Sequence, residues 1–334
     1  MAPNHPRLPL FFLCLLLGLP GLGQTLVSFE VLTKSPALVG TTFGGAVTRR
    51  SIVVRDWKDY YIYSFGTKSW EKARFPSQQM KPLHSQGWIT CAYLPSFGKL
   101  LTLSEELEVL DLQKLGLAYY PIEGTVPVPG GAVVWQEKVY LLGSSLLFNL
   151  NEEPEFDIRK GRTTSIKPPR KVILPTHYFM AFDPATLRFE QLDSLPGPHF
   201  RLGAFSGDSL YAFGPEVRSG TTDVVRYNPV VNQWDSLARL PVLAGAVAEW
   251  NRNLFVLGLQ DHKGFLLVFD VRRGTWRRYE TNVPWTHGLA FVHENKLYYL
   301  AGMKENPKIR DVFFRHPRWL DRKMYVLDLS QFLP

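Results

Sequence analysis

Two stretches of this chain say the same thing at a fixed spacing, and that spacing constrains the fold more than any single motif does. Gly203-Ala204-Phe205 leads through a polar turn at Gly207-Asp208 into Leu210-Tyr211-Ala212-Phe213-Gly214. Val225-Arg226-Tyr227-Asn228-Pro229 and Gln233-Trp234 follow. The second copy runs Gly245-Ala246-Val247, a turn at Asn251-Arg252-Asn253, Leu254-Phe255-Val256-Leu257-Gly258, then Val268-Phe269-Asp270 and Thr275-Trp276. Gly203 and Gly245, Tyr227 and Phe269, and Trp234 and Trp276 are each 42 residues apart. Four short β-type segments per unit at such a period mark one blade of a β-propeller.

The same grammar extends to both ends. One unit occupies 44–76, from Gly44-Gly45-Ala46-Val47 to Ser69-Trp70. A second, without a closing Trp, occupies 87–121 and starts at Gly87-Trp88-Ile89. The third, 130–192, starts at Gly130-Gly131-Ala132 and is interrupted by a long insertion at 144–177. The repeated pair fills 203–236 and 245–280. The last unit, 288–329, starts at Gly288-Leu289-Ala290-Phe291, carries an insertion at 303–322 and ends on its third strand. Residues 25–32 (Leu26, Val27, Phe29, Val31) alternate like a strand with no neighbour of its own. The expected fold is therefore all-β, a six-bladed ring in which the N-terminal strand closes the last blade and removes two open sheet edges.

Each recurrent residue type has a structural task. Glycine in first strands allows close backbone approach near the axis. Aromatics on fourth strands wedge between sheets. Asp111, Asp183-Pro184, Asn228-Pro229 and Asp270 suit Asx turns between third and fourth strands, and are not catalytic carboxylates. With Gly130-Gly131 running to Val139-Tyr140-Leu141-Leu142-Gly143, Tyr227-Asn228-Pro229, Trp234, Trp276 and Leu195-Pro196-Gly197-Pro198 before Arg201, the chain resembles the kelch family of β-propellers. That family is shared with the central domain of galactose oxidase and with bacterial sialic acid mutarotases. The resemblance covers nearly all of the chain after residue 24. It departs where the usual glycine pair ending the second strand is a single glycine at 143, 214, 258 and 302. It implies the fold, while kelch propellers include both binders and enzymes.

The N-terminus reads as a cleavable secretory signal over 1–23. Arg7 is basic, 8–19 is apolar and too short to span a bilayer, and Gly21-Leu22-Gly23 precedes Gln24. Cys14 sits inside the apolar run with Phe12-Leu13 before it, which does not fit a lipidation site. An exported chain, periplasmic or secreted, is expected, with residues 24–334 as one propeller, monomeric, and no integral membrane segment after cleavage. Cys91 then has no internal partner, so the core alone must hold the fold. The absence of an Asn-x-Ser/Thr sequon favours a bacterial source. A formal charge of +8 favours anionic partners, and export disfavours nucleic acid.

In a four-stranded blade the loops leading into the first strand and those joining second to third strands emerge on one face. The lead-in loops carry His84 with Trp88, His199 with Arg201, and Trp285 with His287. The second-to-third connections carry both insertions, Glu216 with Arg218, and His262. Long loops on a repeat scaffold are often functional. Residues 159–171 hold six Lys/Arg, among them Arg170, with no acid, and the last insertion interleaves bases with Phe313, Phe314 and Trp319. An acidic start at Glu152, Glu153, Glu155 and Asp157 can instead pair with this basic end as a solvated flap. The leading expectation is a binding module for an anionic carbohydrate or an extracytoplasmic protein. Its ligand residues would be Arg201, Arg218, His84, Trp88, Trp285, His262, Arg170 and Trp319. The alternative is an epimerase- or mutarotase-like enzyme in which Glu216, His199 or His287 moves a proton. A structural part of a surface assembly is a third reading. Three histidines could form a metal site, but their unequal offsets from the following glycine argue against one. No cofactor is expected, and no metalloprotease, serine-elbow or phosphate-loop motif is present.

Overall fold

Each repeat becomes a four-stranded antiparallel sheet, because alternating apolar positions on short strands are joined by tight turns. The structure, a computed structural model, describes residues 25–36, 44–56, 59–75, 90–103, 107–120, 130–143, 145–150, 155–157, 162–165, 170–175, 177–216, 218–283, 285–304 and 322–332. Blade 1 comprises Gly44–Val47, Ser51–Arg55, Tyr60–Ser64 and Ser69–Lys72. Blade 2 comprises Thr90–Leu94, Lys99–Leu103, Leu107–Asp111 and Gly116–Tyr120. Blade 3 comprises Gly131–Trp135, Lys138–Leu142, Met180–Asp183 and Arg188–Gln191. Blade 4 comprises Leu202–Ser206, Ser209–Glu216, Thr221–Asn228 and Gln233–Leu240. Blade 5 comprises Leu243–Trp250, Asn253–Gln260, Lys263–Asp270 and Thr275–Thr281. Blade 6 has Trp285–His293, Lys296–Lys304 and Lys323–Asp328, with Glu30–Lys34 as its outer strand. First strands touch in ring order, blade 6 meeting blade 1, so the six-bladed propeller closes. The Gly87-Trp88-Ile89 start expected for blade 2 lies outside the described residues.

Ring closure differs in detail from the single strand expected over 25–32. Leu26–Val27 runs parallel to the outer strand of blade 5, with Leu26 opposite Glu280 and Val27 opposite Thr281. Glu30–Lys34 then crosses to blade 6 and pairs antiparallel with Lys323–Asp328. The Asn282 side chain fixes the crossing. Phe29 N–H donates to its Oδ1 and its Nδ2 donates to Phe29 O, each at 2.9 Å. Val27 and Phe29 are buried with Leu329 and Phe332 between blades 5 and 6. The strap therefore ties two blades, because one straight strand cannot hold register with both.

The core is a set of apolar clusters between neighbouring blades. Phe179 of blade 3 lies 4.8 Å from the Tyr227 ring and 5.0 Å from Trp234 of blade 4, so the fourth-strand tryptophan is a wedge. Trp276 stacks on Phe269 at 4.6 Å. Close approach explains the first-strand glycine at 131, where a Cβ would stand 1.9 Å from Arg201 O. The Asx reading also holds: Asp111, Asp183, Asn228 and Asp270 each accept backbone amides within their own turn. Among the described residues no helix is long and apolar enough to cross a membrane.

Candidate binding face

The upper face, as we term it, carries the lead-in and second-to-third connections. Those connections differ sharply between blades. Blade 5 turns directly from Gln260 to Lys263 through Asp261 and His262, both exposed and both left-handed, at φ 49° and 65°. Blade 4 closes almost as tightly. Glu216 ends the second strand, exposed, and its Oε2 accepts from Ser219 Oγ at 3.1 Å; Arg218 is exposed in the turn. Blade 3 instead raises an arm in two tiers. Ser145–Leu150 pairs with Arg170–Pro175, and beyond it Glu155–Asp157 pairs with Arg162–Ser165. The insertion expected to be a loop is thus partly β-structured. Its register sets Leu150 opposite Arg170 and Asp157 opposite Arg162.

Arg201 immediately precedes the first strand of blade 4 and is wedged against blade 3. A Cβ at Gly143, which has φ 59°, would meet its Cγ at 2.9 Å. Burial lowers its pKa below the usual arginine value. His199 packs on the Phe200 ring at 4.6 Å and is crowded over Gly214 of the second strand. Its Nε2 lies 3.5 Å from Asp223 Oδ2. Asp223 is gripped by Arg239, whose Nε donates at 2.6 Å and Nη2 at 3.2 Å. That hydrogen bonding holds the Asp223 carboxyl below its ordinary range. Gly214, Asp223 and Arg239 are successive cross-strand partners, so this His–Asp–Arg row runs outward along blade 4, away from the ring axis.

Asp223 and Arg239 were not singled out from sequence. One signal was available: Asp223 stands 42 residues before Phe265, a core residue of blade 5, so the repeat flags a carboxylate where apolar packing is the rule. In blade 5 the equivalent edge carries Arg278 over the Phe265 ring at 3.7 Å and Lys263 paired with Glu280 at 3.3 Å. Trp285 and His287, expected in a loop, belong to the first strand of blade 6, opposite Lys304 and Met303. Bulges on either side of His287 prolong that pairing beyond Gly288. Arg170 begins the returning strand of the arm. His84, Trp88 and Trp319 lie outside the described residues. The structure therefore brings His199 to Asp223, sets Arg201 against blade 3, and leaves Arg218 and His262 on neighbouring turns of the same face.

Also near this end, enclosed between blades 1 and 2, is a charged pair that the sequence reading passed over. Arg55 and Glu108 are fully buried. Arg55 Nε and Nη2 donate to Glu108 Oε2 and Oε1, each at 3.0 Å, and Tyr60 OH donates to Oε2 at 2.9 Å. Thr102 Oγ1 completes the chain at 2.7 Å from Tyr60 OH and 3.5 Å from Cys91 Sγ. Burial works to lower the Arg55 pKa, but hydrogen bonding and charge from Glu108 win and raise it. Burial likewise pushes the Cys91 thiol up to about 12, which makes it an inert packing residue of the first strand. Every donor here is matched, so the group braces the ring rather than receiving a ligand.

Among the described residues no three His, Cys, Asp or Glu side chains group as a metal site would require. No protein-family model matches the chain. Over 105 residues it is 30% identical to the Kelch repeat and BTB domain-containing protein 8 of Danio rerio. That match covers 29% of this chain and 17% of the relative, so the chain spans well under a fifth of that protein's length. A chain of a solved nidogen/laminin complex aligns over 78% of this chain and 84% of its own, with 10% identity and a TM-score of 0.49.

Proposed function

Because this chain is a kelch-type β-propeller, we propose that it is an exported, non-catalytic binding module whose upper face takes an anionic partner. Kelch propellers typically bind proteins, and an acidic segment of an extracytoplasmic protein or an acidic glycan suits the charge of this face. The reading is carried by the asymmetry of the face: blade 3 raises a two-tier arm where blade 5 needs only Asp261 and His262. The described strands of this connection include Arg162 and Arg170, within a stretch, 159–171, that holds six Lys/Arg and no acid. Arg218 and Lys263 lie exposed on the next two blades. Export rests on the basic-then-apolar stretch over 7–23.

The test uses the chain from Gln24, which holds all six blades and the strap. Immobilised protein is exposed to poly-glutamate, polygalacturonate and sialyllactose, and sialic acid anomerisation is followed by NMR. Retention of an acidic probe without turnover is expected. It should be lost in Arg218→Glu/Lys263→Glu, and in a variant whose arm is replaced by the Asp-His turn of blade 5. Turnover, or retention unchanged in both variants, would overturn the reading.

A further inference from the structure

The lower face, where first-to-second and third-to-fourth turns emerge, has a composition that folding does not ask for. Five blades close their outer hairpin on a residue in the left-handed region: Lys68, Leu115, Leu187, Asn232 and Gly274, with φ between 50° and 66°. Glycine and asparagine suit that conformation; leucine does not. Yet Leu115 of blade 2 and Leu187 of blade 3 sit there, 36% and 49% exposed. The next blade presents Val230 and Val231 on the same turn, 86% and 56% exposed, and Phe97 of blade 2 is 42% exposed beside them in the ring. Three consecutive blades thus hold apolar side chains in water at turn tips, two of them against backbone preference.

On the rest of this face exposed bases outnumber exposed acids, which include Asp208 and Glu294 on the first-to-second turns of blades 4 and 6. Arg50, Lys68, Arg272, Arg273 and Lys296 are exposed on the turns of blades 1, 5 and 6, and Lys114 and Arg188 adjoin the two leucines. The turn acids Asp111, Asp183, Asp270 and Asp328 accept backbone amides of their own turns; the first three are half-buried and Asp328 is exposed. We propose that the lower face is a docking surface for an anionic lipid bilayer. Leu115, Leu187, Val230 and Val231 would enter the interface, and the lysines and arginines would meet acidic headgroups. Two features favour lipid over a protein surface. The apolar residues are convex tips on separate hairpins, which lipid envelops without matching hollows. Basic charge flanks them, and peripheral anchoring draws on both signals together.

The experiment is vesicle co-sedimentation of the chain from Gln24, with phosphatidylcholine alone and with phosphatidylcholine mixed with phosphatidylglycerol. Binding is expected only to the mixed vesicles and should weaken as salt is raised. Leu115→Asn/Leu187→Asn should lower it at least about tenfold, from the apolar area withdrawn. Because asparagine suits the left-handed turn, that variant should unfold no more readily than the parent. Arg272→Glu/Arg273→Glu should remove the preference for phosphatidylglycerol. Equal binding to both vesicles, or unchanged binding by the leucine variant, would overturn the proposal. So would a parent that ignores vesicles but forms oligomers which the leucine variant abolishes, since the tips would then meet protein.

Discussion

Glu108→Leu tests whether the charged pair between blades 1 and 2 holds the ring together. The substitution removes a carboxylate that accepts two bonds from Arg55 and one from Tyr60, all fully enclosed. Tyr60 keeps Thr102 as a partner, so the main cost falls on a guanidinium left in an apolar interior. Breaking a buried pair in this way costs about 3–5 kcal/mol, against a total stability of about 5–15 kcal/mol for a typical protein. Replacing both partners removes the stranded charge, so Arg55→Met/Glu108→Leu should return to within about 2 kcal/mol of the parent or exceed it. Urea unfolding followed by tryptophan fluorescence gives both values, provided the slope is unchanged. A loss under about 1 kcal/mol in the single variant, or a double variant no better than the single, would refute this account.

Two further outcomes follow from the same geometry. With the Cys91 thiol raised to about 12 in the fold, the unfolded thiol ionises first as pH climbs above its ordinary range. The stability of the thiol form is therefore intact below about pH 9 and falls by up to about 4 kcal/mol by pH 12. Urea midpoints of Cys91→Ala should decline less steeply over that window, and parallel slopes would contradict it. Asn282→Ala removes both hydrogen bonds to Phe29 and should cost about 1–3 kcal/mol. Limited proteolysis should then release the strap before any blade is cut, and an unchanged cleavage pattern would count against its role.

The blade plan was legible because it is written locally and repeated. Turn acids such as Asp111 and Asp270 bond amides two and three residues on, and Lys99–Leu103 forms the strand read from its apolar run. The site was legible only in part. His199 and Arg201 were found as polar residues before a first strand. Asp223 was not, because its partners arrive from neighbouring strands and from the lead-in loop. Arg55 and Glu108 looked like ordinary strand charges, since a separation of 53 positions hides the bidentate contact. The single-strand reading of 25–32 failed at Asn282, a residue 253 positions from the backbone it clamps.

By itself, then, the sequence determined the repeat, the strand periodicity, the turn chemistry and the need for a closing strand, since each depends on residues within a few positions of one another. Tertiary structure alone decided which charges meet, which blades the strap ties, that the blade 3 insertion stands as an arm, and that Leu115, Leu187 and Val230 share one face. Those outcomes depend on ring geometry, which brings together residues of separate blades that no local pattern connects.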